Sequence, residues 1–315
     1  MPTVRPKHLR PRNDPERVIQ ELIGQITPAG LMEHLKRIVG VRHHGTAPAA
    51  LEAAGDYITE QFRAAGLKVH HHWFEAFGHR NRNIVATNRG HLTGDRKREL
   101  PLILGAHYDT VSHSPGADDN ASGVAVMLEA ARLLSSFHLS VPLVFIGFAQ
   151  EEQHCLGSAL YAIKMRRAGV LLRGMISLEC VGYASTQPGS QQNVKGLPVV
   201  LPDAGNFLGV VGNPEAAELK ERFEKTAGRY VSELPLIGLL VPDGGHGFPD
   251  TRRSDHSPFW DAGYPALMMT DTANFRNPAY HRPGDTLETL NLSYMVKVTK
   301  AIVAFLVHNG MKEDS

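Results

Sequence analysis

Several short motifs carry side chains suited to holding a divalent ion. GAHYDT offers His107 and Asp109, GADDNASG offers Asp118 and Asp119, and AQEE offers Glu151 and Glu152. SLEC offers Glu179, and AYHRPGDT, far downstream, offers His281. Taken singly, each has an ordinary explanation: an Asp before a helix is usually an N-cap, and a Glu pair usually faces solvent. The pair at 151–152 is different because it closely follows the apolar run VFIGFA. Carboxylates in buried surroundings are costly without compensation, and a bound cation supplies it. Two imidazoles with several carboxylates and no thiolate suit zinc, with manganese or cobalt as substitutes. Three protein ligands and one open position mark a catalytic ion. There are more carboxylates than one ion needs, and a bridging Asp accounts for the surplus. Two ions roughly 3.5–4 Å apart would share a water and hold both sides of a hydrolytic transition state. The remaining Glu would serve as general base.

Such a cluster needs a scaffold that gathers distant segments. LPLILGAH, VPLVFIGFAQEE, GMISLEC and YPALMMTD are apolar runs that end in polar residues. Runs of this kind suit strands buried on both faces of a mainly parallel sheet. Helical patterns over 121–136, 157–168, 214–228 and 289–309 alternate with them, after helices at 29–40 and 47–66 and strands at 67–75 and 83–89. AFGHRNR between those two strands reads as a turn. The alternation predicts an α/β fold: a single-domain, three-layer sandwich whose mixed, mostly parallel sheet has helices on both faces. In open sheets of this class ligands bind beyond the carboxyl ends of the strands, where three of the motifs fall. The stretches 184–206 and 241–260 read as surface loops. The run His70-His71-His72 alternates between strand faces, so it cannot ligate one ion; it reads as part of an edge strand.

Composition removes other functions. The net charge is +1, from 33 basic and 32 acidic residues among 315, so no global field favours nucleic acid or an anionic membrane. No run is long and apolar enough to span a bilayer. Two cysteines, Cys155 and Cys180, exclude a disulfide scaffold and read as small buried residues. The basic, Pro-rich segment 1–16 is expected to be a mobile arm ahead of a catalytic domain over 17–315. It lacks the apolar core of a secretory signal, which makes the cytoplasm the expected location.

In order, GAHYDT, GADDNASG, FAQEEQHCLGS, SLECVGY, SDHSPFWDAGYP and AYHRPGDT resemble the di-zinc exopeptidases that include the bacterial leucyl aminopeptidases and glutamate carboxypeptidase II. The resemblance implies two Zn2+ per chain. His107 and Glu179 would hold one, Glu152 and His281 the other, and Asp119 would bridge them. Glu151 would be the general base, and Asp109 would orient the His107 ring. Tyr280 and Arg253 would hydrogen-bond the developing oxyanion. Asp118 would sit at the start of a helix, and His256 of the SDH motif would line the site or be structural rather than bind metal. Glu179 departs from the family, which has Asp there; the longer side chain is expected to be accommodated, with the first ion the more exchangeable. The implied reaction is hydrolysis of the N-terminal bond of a peptide. The rivals are a one-zinc glutaminyl cyclase, whose relatives depart from the NASG segment kept here, and a catalytically dead binding module.

Overall fold

The computed structural model describes residues 15–88, 100–135, 137, 139 and 141–310. Eight strands form one mixed sheet: β1 (Lys68–Ala76), β2 (His79–Thr87), β3 (Leu102–His107), β4 (Leu143–Phe148), β5 (Gly174–Glu179), β6 (Leu208–Gly212), β7 (Leu236–Leu240) and β8 (Ala266–Thr270). Their order across the sheet is β1-β2-β4-β3-β5-β8-β6-β7. The central strands β4, β3, β5 and β8 are mutually parallel. β2 and β6 flank them in the opposite direction.

The apolar runs become these strands because both faces are covered, which frees every side chain from the need for a polar partner in water. Leu102 and Leu104 of β3 pack into one core, and Ile103 between them packs into the other. The first core is closed by α1 (Pro15–Ile23), α2 (Pro28–Ile38), α3 (Pro48–Ala64), α4 (Gly123–Leu134), α6 (Ala217–Tyr230) and α8 (Leu292–Gly310). The second is closed by α5 (Leu156–Arg167) and the short α7 (Ser257–Asp261). The expected three-layer sandwich is therefore present, with one face far more heavily covered.

Several boundaries differ from expectation. Residues 1–14 of the expected arm lie outside the described residues, and Pro15 and Glu16 already belong to α1. The turn read over 76–82 shrinks to Phe77-Gly78, both at positive φ (56° and 73°), so β2 begins at His79. Paired left-handed residues match the twist of a two-residue hairpin. The short strands β6 and β7 were not legible, and α7 begins within the expected loop over 241–260 and runs just past its end. β1 is an edge strand, as its His run suggested, pairing with β2. His71 meets the Thr59 hydroxyl (3.1 Å) and His72 meets the Asn83 amide (3.2 Å), on opposite faces. No described helix is long and apolar enough to cross a membrane.

Candidate metal centre

Three neighbouring parallel strands end at one edge of the sheet. His107 is the last residue of β3, and Glu179 the last of β5; Glu151 and Glu152 follow the end of β4. The loop before α4 adds Asp119, and the turn before α8 adds His281. The structure brings all six together. The Asp119 carboxylate is divided between two groups. Its Oδ1 lies 3.2 Å from His107 Nε2, and its Oδ2 lies 3.0 Å from His281 Nε2. Around His107 Nε2 stand Glu179 Oε2 at 3.4 Å and Glu151 Oε2 at 3.7 Å. Around His281 Nε2 stands Glu152 Oε2 at 3.1 Å. One donor atom each of His107, Glu151 and Glu179 fall within 4.8 Å of one another, as do those of Asp119, Glu152 and His281.

The electrostatics of this cluster favour a cation. Both ring nitrogens of His107, both oxygens of Asp119, Glu152 Oε1 and His281 Nε2 are buried without a hydrogen-bond partner. Buried polar atoms are rarely left so, and ligand atoms awaiting an ion are a sufficient reason. Burial pushes the Glu151 carboxyl well above the usual range, and Glu179 and Glu152 add to it against the opposing effect of His107. Burial and the neighbouring Asp119 push Glu152 to about 7. Burial pulls the two imidazoles down, yet the surrounding carboxylates carry His281 up to about 10 and His107 well above its ordinary value. Burial raises Asp119, but His107 and His281 outweigh it and hold the carboxyl low. Without an ion the cluster must borrow protons to balance its charge; a divalent cation takes their place. The donors, imidazole and carboxylate, fit zinc.

Supporting residues fix the geometry. The Asp109 carboxylate accepts from the backbone N–H groups of Glu151 (3.1 Å) and Glu152 (3.2 Å), while its contact with His107 Nδ1 is longer, 3.6 Å. It thus holds the loop of the Glu pair more firmly than it orients the ring, a shift from the role the resemblance implied. Asp285, in the same motif as His281, accepts from the N–H groups of Asp118 (2.9 Å) and Asp119 (3.1 Å). Gly116 precedes them at φ 61°, where an added Cβ would sit 2.3 Å from the Asp119 carbonyl oxygen; only glycine fits. The fully buried Arg42 guanidinium donates to the carbonyls of Ile38, Gly40, Tyr108, Pro115 and Gly116, tying the start of that loop to the end of α2. Ser254 Oγ donates to Glu179 Oε2 at 2.7 Å.

Asp118 lies in the helical turn Ala117–Ser122 that leads into α4, the helix entry expected of it, and its buried carboxylate is also a cross-link, accepting from Gly182 N and from the Asn277 side chain, each at 2.8 Å. His256 donates to the Thr251 carbonyl (2.8 Å) and sits edge-on to Trp260. Burial lowers it to about 3, so it is a neutral structural imidazole. The cysteines are more than filler. Cys155 Sγ donates to Glu151 Oε1 (3.4 Å) and Cys180 Sγ to Glu179 Oε1 (3.2 Å), and burial keeps both thiols protonated. Tyr280 stacks on His281 with centroids 4.0 Å apart, and its hydroxyl accepts from Arg253 Nη2 at 3.1 Å. Sequence reasoning gave no role to Asp285, Ser254 and Arg42. Asp285 had a signal, as the Asp of HRPGDT beside a proposed ligand; the other two had none.

Two recesses meet at this cluster. One is narrow, about 80 Å³, with a mostly apolar lining that includes Phe207, Val211, Leu239 and Met268, and it reaches Glu179 and Tyr280. The other is a wide cleft of about 830 Å³ that passes Glu151, Glu152, Tyr280 and His281.

A family model described as peptidase family M28 matches residues 83–306. Among curated proteins, the chain is 35% identical over 277 residues to the uncharacterized protein YfbL of Escherichia coli K12, covering 82% of this chain and 80% of that one. It is 27% identical to a probable zinc metalloprotease of Pyricularia oryzae, covering 92% of this chain and 66% of that one. Among solved structures, the LapA aminopeptidase of Legionella pneumophila has a similar fold, with TM-score 0.72 at 18% identity, covering 99% of this chain and 78% of that one.

Proposed function

The chain belongs to peptidase family M28, and on that premise we propose that it is a zinc-dependent aminopeptidase holding two ions. His107, Asp119 and Glu179 would hold one zinc, and Asp119, Glu152 and His281 the other. The observation that carries this reading is the divided Asp119 carboxylate, one oxygen facing each imidazole. The zinc metalloprotease relative and the aminopeptidase neighbour support the choice of metal and of reaction.

When bound, the ions supply Lewis acidity toward the scissile carbonyl and a water acidic enough to attack near neutral pH. Glu151 reaches into the cluster, its Oε2 3.7 Å from His107 Nε2, without being needed as a ligand, which leaves its carboxylate available for proton exchange. It takes the proton from the attacking water and returns it to the departing amine. Tyr280 and Arg253 present a hydroxyl and a guanidinium at the rim, where the carbonyl oxygen gains charge. Cys155 and Ser254 hold the carboxylates of Glu151 and Glu179 in place. Free α-amines are received by the acidic groups of the cluster, which favours cleavage from the amino end.

The test is a panel of free and N-blocked peptides offered to zinc-loaded protein, with metal counted per chain. Release of N-terminal residues, spared blocked peptides and two zincs per chain are expected. Cleavage confined to the C-termini of blocked peptides would overturn the aminopeptidase assignment. One tightly held ion with cyclisation of N-terminal glutamine would replace it by the cyclase.

A further inference from the structure

Cys180 brings a third kind of donor atom to the cluster. It follows Glu179 directly, and neighbouring residues of an extended strand point to opposite faces. At Cys180 the alternation is broken, because its φ is 51°, in the left-handed region. Two backbone bonds hold it there. Its N–H donates to Asn120 Oδ1 at 3.2 Å, and its carbonyl accepts from Asp271 N at 2.7 Å. The turned backbone brings Sγ to the side of the Glu179 carboxylate, 3.2 Å from Oε1. That carboxylate is thus divided, as the Asp119 carboxylate is. Its Oε1 faces the thiol, while its Oε2 faces His107 Nε2 at 3.4 Å and accepts from Ser254. Asp119 closes the group: one donor atom each of Asp119, Glu179 and Cys180 lie within 4.8 Å of one another, and all three residues are buried. Both Asp119 oxygens lack a hydrogen-bond partner, and Sγ borders the same space. The ligands of a tetrahedral zinc, about 2.0–2.3 Å from the ion, stand roughly 3.3–3.7 Å from one another. The separations of 3.2 Å from Cys180 to Glu179, 3.2 Å from Asp119 to His107 and 3.4 Å from Glu179 to His107 are of that size.

We propose that Cys180 is a thiolate ligand of the ion held by His107, Asp119 and Glu179. The other position, of Asp119, Glu152 and His281, is then built from oxygen and nitrogen alone. On binding, the thiol proton passes to solvent and the sulfur coordinates as the anion. The inference rests on the two-ion reading of the same cluster and deepens it. The donor set found in the motifs held no thiolate, and adding one makes the two positions chemically unequal. A thiolate favours softer ions such as zinc and cadmium over manganese.

In the experiment the protein is stripped with a chelator and reloaded with cobalt(II), one equivalent at a time. A sulfur-to-cobalt charge-transfer band in the near ultraviolet should grow with one of the two equivalents only. C180S and C180A should lose it, and C155A, which removes the other cysteine, should keep it. Zinc-edge X-ray absorption on the unaltered, zinc-loaded protein needs no variant. It should show a sulfur neighbour at about 2.3 Å beside nitrogen and oxygen at about 2.0–2.2 Å. The ratio of cadmium to manganese affinity at that position should fall roughly ten-fold or more in C180S, because a soft ion loses its soft ligand and a hard one loses little. Bound cobalt without the band, or bound zinc without a sulfur neighbour, overturns the inference, as does a band that survives C180A. The same zinc-loaded protein assayed on free peptides separates this from the parent reading. Two ions and hydrolysis from the amino end, with no sulfur neighbour, remove the thiolate alone. A sulfur neighbour and a charge-transfer band without peptide hydrolysis remove the aminopeptidase reading and leave the ligand assignment standing. Failure to bind any of these ions removes both.

Discussion

Replacing Asp285 by Asn changes one atom of a side chain that touches no proposed ligand atom, yet it should weaken metal binding. The Asp285 carboxylate is completely buried and accepts from two successive amides, Asp118 N at 2.9 Å and Asp119 N at 3.1 Å. Asn has one oxygen, so one of those N–H groups would face an NH2 donor. Leaving a buried donor unmet costs about 1–3 kcal/mol, with charge-assisted bonds at the upper end. The metal-free loop can move and find water. The metal-bound loop cannot, because Asp119 must keep an oxygen toward each imidazole. The cost therefore falls on the bound state. At about 2 kcal/mol it amounts to a roughly 30-fold weaker zinc constant. Competition against a chromophoric chelator reads that constant, and thermal melts of the metal-free proteins read the loop's contribution to the fold. Unchanged zinc affinity with a lowered melting temperature would refute the argument, since the two amides would then support the fold and not the ligand.

Glu151→Gln should keep its zinc and its fold and lose activity by roughly 10²–10⁴-fold; metal analysis beside initial rates checks it, and near-normal turnover with zinc retained rejects the role. Ser254→Ala frees Glu179 Oε2 from its 2.7 Å donor and, at about 1 kcal/mol, should weaken the more exchangeable zinc step roughly five-fold, as followed by zinc titration against activity. Glu179→Asp should leave that step unchanged or tighten it; abolished activity in a folded Glu179→Asp protein would show that the extra methylene is required. His256 is held near 3 in the fold against 6.5 for the free side chain. The unfolded chain thus binds the proton more readily, and stability is lost as pH falls from about 6.5 toward 3. At pH 5 the loss is about 2 kcal/mol, so urea melts of His256→Gln should show that much less acid sensitivity than the parent, and identical pH profiles would dismiss the burial argument.

The strands that carry ligands were legible because burial on both faces writes itself as unbroken apolar sequence; β3 and β5 end in the polar residue that leaves the sheet, and the Glu pair follows shortly after Phe148 closes β4. β6 and β7 were not. LGVVG and LIGLL are five residues each, too short for a period, and glycine in both blurs a strand pattern. The direct site residues were readable because their chemistry is in the side chain. What holds them was mostly hidden: Arg42 acts through carbonyls that any sequence possesses, and Ser254 looks like every other serine until the fold puts it on Glu179. The further partners of Asp109 and Asp118 were hidden for the same reason, because each spends its carboxylate on distant backbone N–H groups.

The proposed ligands enter from separate stretches: the ends of β3 and β5, the exit of β4, the loop before α4 and the turn before α8. No hairpin or helix pair contains a complete set, so the unfolded chain offers an ion only scattered weak donors. An ion that recognises the native state alone enters the folding equilibrium by mass action, adding about 2.7 kcal/mol when its free concentration is a hundred times the dissociation constant. The unpartnered buried atoms of the same cluster act the other way once the ion leaves. Zinc supply would then set the lifetime of the molecule as well as its rate. A copy stripped of metal opens more often, and opened chains are what proteases remove. The pool of protein that survives is thereby enriched in the loaded, working form.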